Sequence, residues 1–195
     1  RLQISQLDGL MLHSPGDLLL DVGNELYVGM QACKEQGLVR SIGVSVYAPS
    51  ELEAILPRYP MDIVQAPLNI IDRRLEVSGW LSRLHDSGVR LYVRSIFLQG
   101  LLLMGAEQRP DKFFRWNALW TEWHDWLDKN KLSALKACLD FVLSFPEVER
   151  VLVGVDSSKQ LSDIIECLSD ERHLPPLSLT TEDPDLVNPS RWSAL

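Results

Sequence analysis

Short runs of apolar and β-branched residues alternate along the chain with longer amphipathic stretches, and this alternation constrains the fold more than any other feature. Residues 7–12 read as a buried strand and 24–36 as a helix, stopped by Gly37. The β-branched run 41–46 predicts the next strand. Ser50 is suited to cap a helix that ends near Leu56, just before Pro57. Residues 62–66, 89–95 and 150–155 predict three more strands. Helices are predicted over 76–85, 132–145 and 157–168, the last capped by Asp156 or Ser157. Strand–helix alternation at this spacing means βαβ units and a parallel sheet with right-handed crossovers. An open doubly wound sheet and a barrel both satisfy that pattern. No Gly-x-Gly-x-x-Gly turn follows the first strand, which favours the barrel. About five strands are visible, whereas a (β/α)8 barrel closes with eight. Five parallel strands leave two edges to cover, so the chain is expected to pair, to self-associate through its open sheet edges, or to belong to a longer protein.

The chain has 195 residues, 46% of them hydrophobic, enough to bury the core of a single domain over residues 1–195. A net charge of −8 repels phosphate backbones and anionic bilayers, so neither nucleic acid nor a membrane is an expected partner. No apolar run approaches the ~18 residues that a spanning helix needs. The start, Arg1-Leu2-Gln3, has no apolar h-region and no Met, which implies that something upstream was removed or never included. Cys33, Cys138 and Cys167 are odd in number and widely spaced, which argues against a disulfide framework or a zinc site. They read as small buried hydrophobes of a protein in a reducing, cytoplasmic compartment.

One region breaks the rhythm. Residues 97–130 carry Trp116, Trp120, Trp123 and Trp126, spaced to fall near one helical face. They read either as an extra helix packed on the sheet or as the wall of a substrate site, since long βα loops build active sites in barrels. An indole wall suits an apolar or sugar-like ligand. Residues 175–195, rich in Pro, Ser, Thr and Asp, are predicted to be an extended segment on the surface.

Polar residues at the C-terminal ends of barrel strands point into the active site. His13 ends the first strand, Ser45 the second, Gln65 and Asn69 lie in Val-Gln-Ala-Pro-Leu-Asn at the third, and Ser95 ends the fourth. Gly154, Asp156 and Ser157 end the fifth. Each is also what an ordinary strand end shows; together they line one rim. The last loop runs into a helix N-terminus, whose free N–H groups suit a phosphate. Asp156 and Asp163 place negative charge nearby, either to oppose a phosphate or to cap the helix.

In this order the motifs resemble the second half of an aldo-keto reductase. Leu-Asp-Gly-Leu-Met-Leu-His-Ser-Pro resembles that family's strand with its histidine. Gly-Leu-Val-Arg-Ser-Ile-Gly-Val-Ser resembles its next helix end and strand, and Ile-Val-Gln-Ala-Pro-Leu-Asn its glutamine strand. Arg-Ser-Ile-Phe-Leu-Gln-Gly-Leu-Leu is similar to its Tyr-Ser-Pro-Leu-Ala-Gln-Gly-Leu-Leu. Val-Gly-Val-Asp-Ser-Ser-Lys-Gln-Leu resembles its last phosphate-binding loop, and Asn-Pro-Ser-Arg-Trp a common ending.

The resemblance, from about Leu7 to Trp192, implies a partial (β/α)8 TIM barrel, about the last five βα units. It implies hydride exchange between NADP or NAD and a small-molecule carbonyl, giving an alcohol. His13 would orient the substrate carbonyl and share its developing charge. Ser45, Gln65 and Asn69 would hold the nicotinamide; Ser95, Leu98 and Gln99 would lie along the pyrophosphate; Gly154, Ser158, Gln160 and Asp163 would face the adenosine. No metal is implied. The family's catalytic Asp, Tyr and Lys would belong to βα units before Arg1. The chain alone is therefore expected to be an inactive fragment, and Tyr27, Tyr47, Tyr59 and Tyr92 lack that motif's context. Three departures stand out: Val46 where many members have Asn, Arg94 where an aromatic is common, and Asp156 in place of Ser or Lys. The last disfavours a 2′-phosphate and points towards NAD(H). The alternative is a non-catalytic half-barrel, a cofactor-binding or regulatory module.

Overall fold

The computed structural model describes residues 3–169 and 171–195. Arg1 and Leu2, part of the start read above, lie outside them. Five strands form, β1 (Leu7–Leu12), β2 (Val39–Ser45), β3 (Ile63–Pro67), β4 (Arg90–Arg94) and β5 (Val148–Val151). They join one sheet in the order β1-β2-β3-β4-β5. β1 and β2 run parallel, as do β2 and β3, with Leu10 opposite Ile42 and Val44 opposite Val64. A doubly wound sheet reverses its strand order at a switch point. Here the order follows the chain throughout, so the fold is α/β and that of a partial (β/α)8 barrel.

The helices are α1 (Gly23–Glu35), α2 (Pro49–Ile55), α3 (Arg74–Val77), α4 (Trp80–Asp86), α5 (Asn117–Asn130), α6 (Ala134–Leu143), α7 (Ser158–Glu166) and α8 (Pro184–Val187). Among the described residues no helix is long and apolar enough to cross a membrane. The chain divides into two compact units, residues 1–67 with 75–92, and residues 68–74 with 93–195.

In the first unit, β2 and β3 are buried along almost their whole length, as the inner strands of a parallel sheet should be. Gly43 is required there, because a Cβ on it would stand 2.4 Å from the Ile63 carbonyl oxygen. Asp62 ties α1 to the sheet. Its carboxylate takes the Lys34 ammonium at 2.7 Å and the Ile42 N–H at 2.9 Å. An apolar groove of about 380 Å³ runs along β1 and α1, lined by Leu10, Leu26, Met30 and Cys33 among others; none of the candidate site residues lines it.

In the second unit, Trp120, Trp123, Cys138 and Val142 form the core. Asp140, 1% exposed, is held by Lys136 and by both the backbone N–H and the Nδ1 of His173. Arg73 is also buried. It donates to the carbonyls of Ile70 and Pro176 and lies over the Phe141 ring, so it fixes residues 68–74 against α6 and the tail.

Several predicted elements are corrected. The helix expected over 76–85 is two, α3 and α4, because Gly79 takes a left-handed φ of 76° between them. Ser50 lies inside α2; the first turn is closed by the Glu51 carboxylate, which accepts from the N–H groups of Tyr47 and Ala48. β5 stops at Val151, four residues early, and Leu152, Val153 and Val155 are 37–39% exposed. The tail is no plain extended surface segment. It forms α8 and a 3-10 turn, and it buries Leu179, Leu186 and Val187.

Candidate functional site

The first unit carries His13, Ser45 and Gln65. His13 lies exposed in the bend just after β1. Ser45 and Gln65 are the last residue of β2 and the middle of β3, opposite each other in the parallel register. The Ser45 hydroxyl donates to Gln65 Oε1 at 3.0 Å. That bond turns the carboxamide so that its NH2 end is left over, and among the described residues no protein acceptor takes the Nε2 protons. A buried amide with one end fixed and one end unspent is ready to bind a second planar polar group.

The second unit carries the other candidates. Asn69, 1% exposed, accepts from the N–H groups of Ile71 and Asp72 through Oδ1 and donates to the Ser95 carbonyl at 3.1 Å. It pins the loop after β3 to the end of β4. Ser95, Leu98 and Gln99 all have left-handed backbones, with φ of 58°, 46° and 55°. Such a φ is uncommon outside glycine and a real outlier for a side chain as bulky as leucine, and strain of this kind gathers at functional turns. The turn holds itself by Leu98 N–H to Ser95 O and Gly100 N–H to Phe97 O. Among the described residues the N–H groups of Ile96, Phe97 and Gln99 have no protein acceptor, which is what a bound anion needs.

Gly154, Ser158 and Gln160 are exposed and Asp163 is half-buried. Ser157, rather than Asp156, caps α7 by accepting from Gln160 N–H at 3.2 Å, while Gln160 Oε1 accepts from Asp156 N–H at 2.7 Å. Lys159 is drawn to Asp163 at 2.8 Å, which spends the only cation of that first turn within its own helix.

Ser45 and Gln65 are thus in contact, as are Asn69 and Ser95, and Asp156, Ser157 and Gln160 share the start of α7. The unspent N–H groups of Ile96 and Phe97 escaped a reading based on side chains. Their only local signal is the Gln99-Gly100 turn. Among the described residues no three His, Cys, Asp or Glu side chains gather as a metal site.

The model of the Aldo/keto reductase family matches residues 1–175. The chain belongs to the aldo/keto reductase family. Among solved structures, an aldo-keto reductase of Bacillus halodurans in its holo form aligns with a TM-score of 0.67 and 21% identity, covering 88% of this chain and 58% of that one. Its apo form gives 0.66 and 21%, covering 91% and 61%. A thermostable aldo-keto reductase in complex with the inhibitor epalrestat gives 0.63 and 21%, covering 87% and 58%. At these identities the likeness shows the fold. The chain spans about three fifths of the length of these aldo-keto reductases. No curated protein sequence matches it.

Proposed function

We propose that the chain serves an NAD(P)H-dependent oxidoreductase of the aldo-keto reductase type that reduces a small-molecule carbonyl to an alcohol. The observation that carries this reading is the Ser45–Gln65 pair, a buried carboxamide oriented by a hydroxyl with its NH2 end unspent. Bound NAD(P)H would supply the hydride.

In the first unit, Gln65 offers its NH2 to the nicotinamide carboxamide, and Ser45 keeps that amide in one plane. His13 donates to the carbonyl oxygen and stabilises the negative charge that grows on it during reduction. In the second unit, Asn69 fixes the end of β4. The Ser95–Gln99 turn, Leu98 included, gives its unspent N–H groups to the pyrophosphate. Gly154, Ser158, Gln160 and Asp163 face the adenosine. We assign the proton donor to no tyrosine of this chain; Tyr27 donates to the Pro60 carbonyl and Tyr92 to Asp8. With Lys159 spent on Asp163 and Asp156 beside the turn, NAD(H) is accepted as well as NADP(H). Unpaired thiols at Cys33, Cys138 and Cys167 fit a cytoplasmic setting. The outer sides of β1 and β5 lack a strand partner among the described residues and support self-association.

The test is calorimetric titration of the protein with NADPH and NADH, with Gln65→Leu beside it. The variant should bind about tenfold more weakly, the loss expected when one buried hydrogen bond goes unmade. Equal affinity of both proteins would remove Gln65 from the site. Binding without turnover of any carbonyl by the protein as it occurs natively would favour a cofactor-binding module.

A further inference from the structure

Arg109 is only 5% exposed, yet no carboxylate among the described residues pairs with it. Its guanidinium lies 4.2 Å from the centre of the Trp120 ring. Nη2 reaches the Met104 carbonyl at 3.3 Å and Nε2 of His124 at 3.0 Å, and Nε has no partner. A guanidinium can only donate. Nε2 is therefore the acceptor, and His124 is neutral with its proton on Nδ1. The contact cannot survive protonation of His124, since both groups would then be donors and both positive.

The geometry around this pair is that of a fastening. Ala106, Glu107 and Gln108 are exposed, and the backbone bonds of this stretch are local, Gln108 N–H to Gly105 O and Arg109 N–H to Ala106 O. Arg109 is the residue that reaches from it into the core and onto α5. The charged groups acting on His124 are Arg109, from the facing segment, and Asp125 and Asp128 of its own helix. Burial and the Arg109 charge hold the imidazole below its ordinary range, and the two carboxylates oppose them without prevailing.

We propose that Arg109 and His124 form a proton-operated clasp: neutral His124 fastens residues 104–109 onto α5, and protonated His124 releases them. The folded state favours the neutral ring, so the clasp is complete above the ordinary imidazole value of 6.5 and weakens as pH falls below it. The segment follows the Ser95–Gly100 turn after the single 3-10 turn Leu101–Leu103, so acid loosens the chain beyond that link. The clasp does not depend on what the turn binds.

Hydrogen exchange of the intact chain, without ligand and corrected for intrinsic rates, at about pH 7.5 and about pH 5 tests this, because exchange reports local opening. Protection over residues 104–109 should fall about tenfold at the lower pH, corresponding to the loss of one charge-assisted contact. In His124→Gln the amide oxygen still accepts from Arg109 and does not titrate, so protection should stay level. Unchanged protection in the native chain overturns the clasp, and so does an equal acid loss in the variant. The ring titration of His124, followed by NMR in the unaltered chain, gives a check that needs no substitution. A midpoint at or above the ordinary value would also overturn it.

Discussion

His13 and Gln65 belong to one unit but offer different chemistry. Gln65 is buried with one end of its amide committed to Ser45, whereas His13 is exposed just past β1. An exposed donor contributes to catalysis through charge that appears only in the transition state. His13→Ala in the protein as it occurs natively should therefore lower kcat about a hundredfold, with cofactor affinity unchanged. Steady-state kinetics beside a cofactor titration would show it, and unchanged turnover would strip His13 of the role. His13 and Ser45 are legible as candidates because strand ends recur at a fixed spacing and polar residues there stand out against apolar runs; Gln65 stands out as a polar residue inside an apolar strand. Their hydrogen bonds were not legible. Ser45 and Gln65 are 20 positions apart, and only the parallel register places one opposite the other. Arg109 and His124 are 15 apart on an irregular segment and a helix, with no periodicity to link them.

Among the elements, β1 falls where its apolar run predicts, whereas β5 stops short of its run. The two helices in place of one over 76–85 turn on Gly79, whose left-handed backbone interrupts the helix. The tail departs from its composition for a related reason. Pro, Ser and Thr mark loops, but burial of Leu179, Leu186 and Val187 depends on what faces them. Where strands press closest, substitution should be costly. Gly43→Ala forces β2 from β3 and should destabilise the chain by about 3 kcal/mol, seen as a lower denaturant midpoint with an unchanged slope. Asp140→Ala leaves Lys136 and His173 without the carboxylate they share and should cost about 3 kcal/mol by the same measurement. A loss under half of that would mean that residues 171–176 are held mainly by Arg73.

For the whole molecule, the self-association proposed from the terminal strands β1 and β5 and the exposed Leu152, Val153 and Val155 has to overcome the mutual repulsion of a net charge of −8. Sedimentation velocity should then show species heavier than 22.1 kDa that grow with concentration and persist in high salt, as apolar association does. One 22.1 kDa boundary at every concentration would contradict this. The interleaving of the two units has a further consequence, one of timing. Synthesis proceeds from the N-terminus, and everything the first unit contains has been made once Tyr92 is added. Residues 68–74 are made before that point but belong to the second unit, whose remaining residues run from Val93 to Leu195. At ~5–20 residues per second, this stretch waits on the order of 5–20 s on the ribosome before its destination exists. During that interval Leu68, Ile70 and Ile71, all fully buried in the finished protein, have no core to enter.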